Sequence, residues 1–452
     1  MQEVLNQISG IVWGPFLLIL LVGTGVYLTL RLGFLQFRSL GYALKLAFSP
    51  GKQDKKSKGD ISHYQALTTA MAATIGTGNI AGVATAVVLG GPGAVFWMWI
   101  TAVFGMATKY AEAILAVKYR TTDKNGQISG GPMYYLERGL KQKWLAILFA
   151  LFGAIAAFGI GNMVQSNSVS DALVQTFSIP TWVTGVVLTA LAALVLLGGI
   201  KSIGKVTSFF VPIMALFYVI GALIIIFMNL ELVPGAFATI FTDAFTGSAI
   251  GGGLLGTAIR YGVARGVFSN EAGLGSAPIA AAAAKTDYPG RQALVSMTQV
   301  LIDTLIVCTM TGLTIVMANQ YGGGLDGADL TSASFEVFLG SAGGYIVAIG
   351  LVFFAFSTIV GWSYYGEKCF GYLTNDRGLG IYKILFVGFV FVGAIVQLDL
   401  VWTFADIMNG LMAFPNLIGL LFLSGVVASE TKKFLAVAKK EKQAEREAKY
   451  SS

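Results

Sequence analysis

The chain has 452 residues, of which 55% are hydrophobic and only 12% are charged, and its formal net charge at pH 7 is +7. Soluble domains carry about 25% charged residues, so this composition excludes an ordinary soluble protein and predicts an all-α polytopic membrane protein. The one histidine and the two cysteines, Cys308 and Cys369, do not supply the clusters of a zinc site, a disulfide framework or a histidine-based active site. The sequence therefore does not favour an enzyme.

Eleven apolar runs are close to or longer than the ~20 residues that cross the hydrocarbon of a bilayer. In chain order they lie at about 11–32, 62–90, 92–118, 144–171, 180–200, 205–229, 243–268, 290–318, 341–370, 381–398 and 401–427. The N-terminus has no basic leader and no small-residue cleavage site, so we expect the first run to remain as a membrane span. His63, at the start of the second run, is expected at the membrane interface.

Positive charge indicates how these spans are oriented, because Lys and Arg concentrate in cytoplasmic loops. If the N-terminus is outside, each of the 30 Lys and Arg residues falls in a cytoplasmic loop, in the tail or within a span. The basic loop clusters include Lys52, Lys55 and Lys56, whereas the opposite loops carry acids such as Asp326 and Glu336. We therefore predict an outside N-terminus and a cytoplasmic C-terminus, and the positive charge gives little support to nucleic-acid binding.

Three connecting segments have a character of their own. Residues 35–48 alternate apolar and basic side chains, which suits a helix lying on the cytoplasmic membrane surface. Residues 132–140 suit either a short helix or an ordinary loop. The tail, 432–449, alternates Lys and Glu and suits a solvated helix or a disordered segment, with contact to anionic membrane lipid as a weaker alternative.

The spans divide into one extra N-terminal span and two sets of five. The first set starts inside and the second starts outside, so the topology predicts a five-plus-five inverted repeat. We divide the chain into 1–61, the extra span and amphipathic segment; 62–229, the first repeat; 243–427, the second repeat; and 428–452, the tail.

Glycine-rich segments interrupt the second and the seventh spans. In the second span Gly76 and Gly78 permit a non-helical backbone, and Thr74, Thr77 and Asn79 offer polar side chains beside them. A glycine cluster alone also suits close helix packing. Two clusters at corresponding places in two halves indicate discontinuous helices, which in transporters carry the binding site.

In the seventh span the segment from Gly262 to Pro278 contains Arg265 and Glu271, which are too costly to expose to hydrocarbon. Other charges lie in spans as well. We expect Asp303 and Asp406 to pair with Arg260 or Arg265, and Lys109 to pair with Glu112 along one helix face. Acids within a membrane span are candidates for a functional role, but the sequence places neither Asp303 nor Asp406 at a break, so we interpret them as ion pairs that join helices or form a gate.

Four motifs carry a family resemblance. The segments are Thr74 to Gly82, Gly90 to Gly105 (GGPGAVFWMWITAVFG), Gly130 to Tyr135 and Arg265 to Pro278. They resemble the signatures of the alanine or glycine:cation symporter family over essentially the whole chain. The resemblance implies the leucine-transporter fold and Na⁺-coupled symport of alanine or glycine across the plasma (inner) membrane of a prokaryote.

The resemblance also implies a Na⁺ site between the first broken helix and the ninth span. The hydroxyls of Ser357 and Thr358 would bind the ion together with the carbonyls of Ala72, Ile75 and Phe354, since hard cations take oxygen ligands. The alternative is that both hydroxyls donate hydrogen bonds back to their own helix.

For the amino acid, the backbone amides from Gly76 to Asn79 would meet the carboxylate, and carbonyls around the seventh-span break would meet the ammonium. The predicted substrate residues are Thr74, Gly76, Thr77, Gly78, Asn79, Gln165, Gly262, Gly266, Phe268 and Trp362. Gln165 would reach one end of the substrate, and Phe268 and Trp362 would wall its methyl group, although buried aromatics also serve as plain packing.

The expected function is import by alternating access, with a small neutral amino acid, Na⁺ and membrane lipid as partners and no obligate protein partner evident. The main alternative is a proton-coupled or uncoupled carrier on the same fold. A channel would require a ring of filter residues from several subunits. A membrane-embedded enzyme would require a nucleophile with a histidine and an acid, or a metal cluster, and the sequence offers neither.

Overall fold

The computed structural model describes residues 2–49, 57–245, 256–396 and 399–450. Within these ranges the chain is a bundle of helices with one short two-stranded hairpin. Three parts of the sequence predictions lie outside the described residues: the basic cluster Lys52, Lys55 and Lys56, positions 246–255 of the span at 243–268, and the last two residues of the span at 381–398.

The first part of the chain forms eight elements before the hairpin. They are α1 (Gln2–Val12), α2 (Pro15–Arg31), α3 (Leu35–Arg38), α4 (Leu40–Phe48), α5 (His63–Thr74), the π-helical segment π1 (Gly78–Gly82), α6 (Val83–Gly90) and α7 (Ala94–Lys118). The strands β1 (Thr121–Thr122) and β2 (Ile128–Ser129) then pair antiparallel, with Thr121 opposite Ser129.

Seven elements follow the hairpin up to the middle of the chain. They are α8 (Pro132–Tyr134), π2 (Tyr135–Gly139), α9 (Lys143–Phe158), π3 (Gly159–Met163), α10 (Val164–Phe177), α11 (Thr181–Leu196) and α12 (Gly199–Met228).

The second part of the chain is helical throughout its described ranges. Its elements are α13 (Val233–Asp243), α14 (Thr257–Asn270), α15 (Pro278–Ala282), α16 (Pro289–Val300), π4 (Leu301–Cys308), α17 (Thr309–Ala318), α18 (Gly327–Leu339), α19 (Ser341–Thr374), α20 (Leu379–Ile395), α21 (Asp399–Phe422) and α22 (Ser424–Tyr450).

Several of these helices are long and apolar enough to cross a membrane. Among the described residues there are seven, or eight when α5 and the π1–α6 segment, bent by 57° at their junction, count as one broken span. Helices α11 and α20 are apolar but shorter. The chain is therefore a multi-pass membrane protein, whereas the number eleven and the inverted repeat remain predictions. The first of these candidates joins α1 and α2 over Gln2–Arg31, and the run predicted at 11–32 contains all of α2.

The connecting segments are helical. Residues 35–48 form α3 and α4, and α4 buries Ala43 and Ala47. Residues 132–140 are mostly α8 and π2, so the helical alternative is correct there, and the tail forms the single helix α22. His63, predicted at the membrane interface, is buried within the protein. Its side chain is 5% exposed and hydrogen-bonds to Gln292 of α16, because the start of α5 is covered by that helix.

The first break, between α5 and π1, has a local cause. The N–H of Gly76 donates to Asn79 Oδ1 at 2.9 Å, and the N–H of Asn79 donates to the carbonyl of Gly76 at 3.2 Å. In a regular helix these two N–H groups would bond the carbonyls of Ala72 and Ile75. The Asn79 side chain thus stabilises a turn that leaves two carbonyls free for other partners.

The second break lies between α14 and α15. The chain turns there through positive φ at Glu271 (56°), Gly273 (94°) and Gly275 (86°), and Pro278 then opens α15. Glycine reaches such φ values readily because it has no Cβ. The break therefore covers residues 271–277 and lies C-terminal to Gly262 and Gly266, which are inside α14.

The outer ends of the two broken helices are tied together on one side of the molecule, which we call the hairpin side because β1 and β2 lie there. The N–H of Asp60 donates to the carbonyl of Ala283 at 2.8 Å, and the N–H of Lys285 donates to that of Ile61 at 2.7 Å. The Arg120 guanidinium strengthens this tie with four bonds of 2.7 to 3.4 Å, all to main-chain carbonyls, at Lys58, Ala282, Ala284 and Thr286.

A buried ion pair anchors the hairpin to the bundle. Lys368 of α19 donates to Asp123 Oδ2 at 2.8 Å, and the two side chains are only 6% and 2% exposed. The backbone N–H groups of Asn125 and Gln127 also donate to Asp123. Burial alone would raise the pKa of Asp123, but the hydrogen bond and charge of Lys368 with these N–H groups outweigh it, so the pKa lies below its ordinary value.

Candidate functional site

Five oxygen atoms converge where α19 passes the first break. Ser357 Oγ lies 3.1, 3.3 and 2.8 Å from the carbonyl oxygens of Ala72, Ile75 and Phe354. Thr358 Oγ1 lies 3.2, 3.4 and 3.0 Å from the same three oxygens. The structure thus brings all five predicted ion ligands together, and the backbonding alternative is also present, since Phe354 is one of the acceptors.

These six contacts are more than the hydroxyl groups can satisfy. Each hydroxyl carries one proton, so at most two of the six are hydrogen bonds at any moment. The other contacts set oxygen lone pairs against each other within 3.4 Å. Such a buried set of oxygen donors has the chemistry that a hard monovalent cation requires.

Gln165 of α10 reaches the first break from the opposite helix. Its Oε1 accepts the N–H of Thr77 at 3.3 Å, and its Nε2 donates to Thr77 Oγ1 at 3.2 Å and to the carbonyl of Ile160 at 2.9 Å. A Cβ on Gly76 would lie 2.4 Å from Thr358 Oγ1 and 3.3 Å from Gln165 Oε1. Gly76 therefore lies between the oxygen cluster and Gln165, with no room for a side chain.

Two predicted residues of the break face away from Gln165. Thr74 Oγ1 donates to the carbonyl of Ala70 and accepts a hydrogen bond from Gln299 of α16 at 2.9 Å. Asn79 uses its Oδ1 to hold the turn and its Nδ2 to donate to Asp303 at 2.8 Å. Their side chains thus shape the break and link it to α16 and π4.

Phe268 contacts the first break, and Trp362 contacts the second. The Phe268 ring contacts the backbone at Gly78, since a Cβ there would lie 3.1 Å from its Cδ1. Trp362 packs on Gly161 of π3, where an added Cβ would meet the Trp362 Cβ at 2.2 Å. Trp362 is 2% exposed, and its Nε1 donates to Glu271 Oε1 at 2.8 Å, so the second break orients this indole.

The structure does not place Gly262 and Gly266 at the second break. A Cβ on Gly262 would lie 2.5 Å from the Ala94 carbonyl, and one on Gly266 would lie 3.3 Å from Met98 Cα. Both glycines instead let α14 pack closely on α7, which is the role of small residues four apart in membrane helices. Their expected position around the ammonium of a substrate stays a prediction.

Asp303 lies at the first break, although the sequence analysis did not place it there. Its carboxylate, in π4, accepts hydrogen bonds from Asn79 Nδ2 at 2.8 Å, Ser269 Oγ at 2.9 Å and Thr304 Oγ1 at 2.7 Å. It is fully buried and makes no ion pair with an arginine in the described part of the chain. The expected pairing with Arg260 or Arg265 is wrong for Asp303, because π4 turns this side chain toward the first break.

A second group of buried charges holds the second break. Glu112 Oε1 of α7 accepts the N–H groups of Gly273 and Gly275, both at 3.1 Å, and Asn416 Nδ2 at 2.7 Å. The predicted direct pair with Lys109 is wrong, because Lys109 Nζ has no hydrogen-bond partner among the described residues. Lys109 is buried within electrostatic range of Glu112, Glu271 and Asp303.

Asp406 of α21 does lie near the two arginines. Asp406, Arg260 and Arg265 line one small cavity next to Phe268. The charge of Arg265 acts on Asp406, but no contact shorter than 4.0 Å joins them in the described structure. The expected pairing is therefore long-range only.

Comparison with known proteins agrees with this arrangement. The family model of the sodium:alanine symporter family matches residues 1–448. The chain is 62% identical over 447 residues to the sodium/alanine symporter AgcS of Methanococcus maripaludis, covering 97% of this chain and 98% of that protein. It is 40% identical over 440 residues to the probable sodium/glutamine symporter GlnT of Bacillus subtilis, covering 96% and 91%.

Among solved structures, MhsT in complex with L-phenylalanine superposes with a TM-score of 0.61 at 13% identity, covering 83% of this chain and 93% of that one. This likeness concerns the fold alone and places the chain beside leucine-transporter-fold proteins, with two broken helices at the centre. Because the family model matches nearly its whole length, the chain belongs to the sodium:alanine symporter family, whose members are transporters and not enzymes.

Proposed function

We propose that the protein imports alanine with Na⁺ by alternating access, with glycine as a second substrate. The observation that carries this proposal is the oxygen cluster of Ser357, Thr358 and three carbonyls beside the first break. An ion bound there would fix α19 against α5 and so stabilise one conformation of the carrier. Na⁺ coupling in the family and the name of the 62% identical relative support the choice of ion and substrate.

The amino acid would lie between the two breaks. Its carboxylate would take the N–H of Thr77, which Gln165 now accepts at a long 3.3 Å, and Gln165 would then be free to bond the substrate. Phe268 and Trp362 would border its side chain. The closeness of Gly76 to Thr358 Oγ1 would couple the two ligands, because a movement of the break at either site moves the other.

The tie on the hairpin side supports the alternating-access part of the proposal. We assign this side to the cytoplasm of a prokaryotic cell, with the N-terminus outside, the C-terminus inside and lipid around the apolar faces. Both broken helices are then fastened at their cytoplasmic ends by Arg120, while the small cavity at Phe268 lies toward the outside. Opening to the cytoplasm requires these bonds to break.

The test is uptake of labelled alanine by the purified protein in liposomes, with Na⁺ or choline in the external buffer. We expect saturable uptake that needs Na⁺. Thr358→Val, which keeps the shape but removes the hydroxyl, should weaken Na⁺ affinity by about 10- to 150-fold, the effect of losing a hydrogen bond to a charged group. Thr358→Ser keeps the oxygen and serves as the matched control. Unchanged Na⁺ dependence in Thr358→Val would refute the ion site.

A proton-coupled carrier is the second candidate, and the buried carboxyl groups of Asp303 and Glu271 at the breaks are what favours it. Uptake in choline that is driven by an inward proton gradient and lost in Asp303→Asn would establish it. Uptake that depends on Na⁺ and ignores the proton gradient would exclude it.

A further inference from the structure

A small cavity lies directly above Phe268, on the side of the molecule away from the hairpin. It is enclosed by α1, α14 and α21, and its volume is about 140 Å³. Pockets for drug-sized ligands measure ~300 to 1,000 Å³, so this one suits a molecule of a few heavy atoms. Phe268 separates it from the first break, which makes it the compartment next to the candidate substrate site.

The cavity holds opposite charges that do not neutralise each other directly. The guanidinium groups of Arg260 and Arg265 have no hydrogen-bond acceptor and no ion pair among the described residues. Each lies over an aromatic ring instead, Arg260 at 5.6 Å from the Tyr261 centroid and Arg265 at 5.5 Å from the Phe268 centroid. Both therefore present donors to the cavity that are free to bind an incoming carboxylate.

Asp406 supplies the negative charge across the cavity. Among the described residues its Oδ2 accepts only a long hydrogen bond of 3.4 Å from Ser9 Oγ, so the carboxylate has capacity for a stronger donor. Its position is nevertheless fixed, because Trp13 Nε1 donates to the main-chain carbonyl of Asp406 at 3.0 Å and joins α1 to α21. The extra N-terminal helix thus helps to build this wall.

We propose that the cavity is a vestibule site that binds a zwitterionic amino acid before it passes Phe268. The substrate carboxylate binds Arg265, with Arg260 at the rim, and the ammonium binds Asp406. Two guanidinium groups against one carboxylate leave an excess of positive charge, so the site disfavours amino acids with a second ammonium. This inference rests on the proposed function as an amino-acid carrier and adds a binding step in front of the central site.

The experiment uses the full-length protein with a single accessible cysteine, Ala264→Cys, in the cavity wall; the two native cysteines are buried. A small charged thiosulfonate labels it in buffer with choline in place of Na⁺. We expect alanine to slow labelling at least about tenfold, whereas lactate, which lacks the ammonium, and alaninamide, which lacks the carboxylate, do not. Arg265→Gln or Asp406→Asn should each abolish the protection.

Controls separate a binding role from a folding defect. Arg265→Lys keeps the charge and should retain part of the protection. Arg138→Gln removes another arginine that lies over a tyrosine, at 5.5 Å, but on the hairpin side, and should change nothing. In liposomes Arg265→Gln and Asp406→Asn should each raise the KM for alanine about tenfold and leave the maximal rate almost unchanged. In Arg260→Gln, uptake of lysine, or inhibition of alanine uptake by lysine, should be stronger than in the unmodified protein.

The outcomes distinguish this inference from the proposed function. Absence of Na⁺-dependent alanine uptake by the unmodified protein would overturn the proposed function. Intact uptake together with labelling that alanine does not slow in choline, or with protection that survives both Arg265→Gln and Asp406→Asn, would overturn the vestibule site alone.

Discussion

Gly161 and Trp362 are packed so closely that one added carbon atom at position 161 would displace the indole. The Cα of Gly161 touches the Trp362 side chain, and Glu271 holds the indole from the other side. No other residue fits at position 161 without displacing Trp362 or the π3 backbone. The position of this indole is therefore set by two neighbours that are far apart in sequence.

Replacing Gly161 with Ala should move Trp362, because the new Cβ would lie 2.2 Å from the Trp362 Cβ. We expect the KM for alanine to rise at least about tenfold and Tm to fall, as overpacking a core costs ~1 to 3 kcal/mol. The control is Gly388→Ala in α20, where an added Cβ meets nothing within 4 Å. Equal transport by both variants would show that Trp362 does not border the substrate.

At this scale the sequence predicted some positions and missed others for definable reasons. Ser357 and Thr358 could be paired with Ala72 and Ile75 because the family resemblance supplied the contact between distant helices. Asp303 could not be placed, because its direction depends on the π-helical turns of π4, which leave no pattern in composition. Gly262 and Gly266 lie in α14 before the second break, and their spacing of four is a known packing signal.

At the scale of elements, the two breaks and the hairpin determine how neighbouring helices are joined. The first break was predicted at the right residues because Gly76, Gly78 and Asn79 have a local effect on the backbone. The second lies inside the predicted segment from Gly262 to Pro278, and its turn uses Gly273, Gly275 and the left-handed Glu271. The anchoring of the hairpin by Asp123 and Lys368 was not predicted, because it joins segments 245 residues apart.

Asp123→Asn should destabilise the hairpin side at neutral pH, because it leaves Lys368 buried without its partner; breaking such a pair costs about 3 to 5 kcal/mol. The pKa of Asp123 is lowered in the folded protein, so its contribution is present above the unfolded value of about 4 and disappears as pH falls below it. The difference in Tm between the unmodified protein and Asp123→Asn should therefore be large at pH 7 and shrink below pH of about 4.

The double variant Asp123→Asn with Lys368→Met tests the cause. It should recover part of the lost stability, because no charge then remains buried alone. A double variant less stable than the single variant by the full effect of Lys368→Met would mean that the two side chains act independently.

At the scale of the whole molecule, the sequence predicted the class of protein but not its complete topology. Hydropathy and charge identify a multi-pass membrane protein because they sum over many residues. The number of spans is harder to predict, since α11 and α20 are shorter than a full span and positions 246–255 lie outside the described structure. The likeness to MhsT supports the leucine-transporter fold despite 13% identity.

If Na⁺ and alanine bind on either side of Gly76, their affinities must be linked. We expect Na⁺ to tighten alanine binding by about 5- to 150-fold and alanine to tighten Na⁺ binding by the same factor. Equilibrium binding of each labelled ligand, with and without the other, measures both factors in one preparation. Thr358→Val should bring this common factor close to one, and a factor of one in the unmodified protein would exclude coupling between the two sites.

The tie made by Arg120 joins two separate segments of the chain through one side chain. Its four acceptors are main-chain carbonyls in two separate segments, so their strength does not depend on which side chains those segments carry. The donors of the guanidinium group are rigidly spaced in one plane, so Arg120 holds both segments in one fixed geometry. If the hairpin side opens as proposed, a single side chain holds both segments, so substitution of Arg120 alone should shift the balance between the two faces of the carrier.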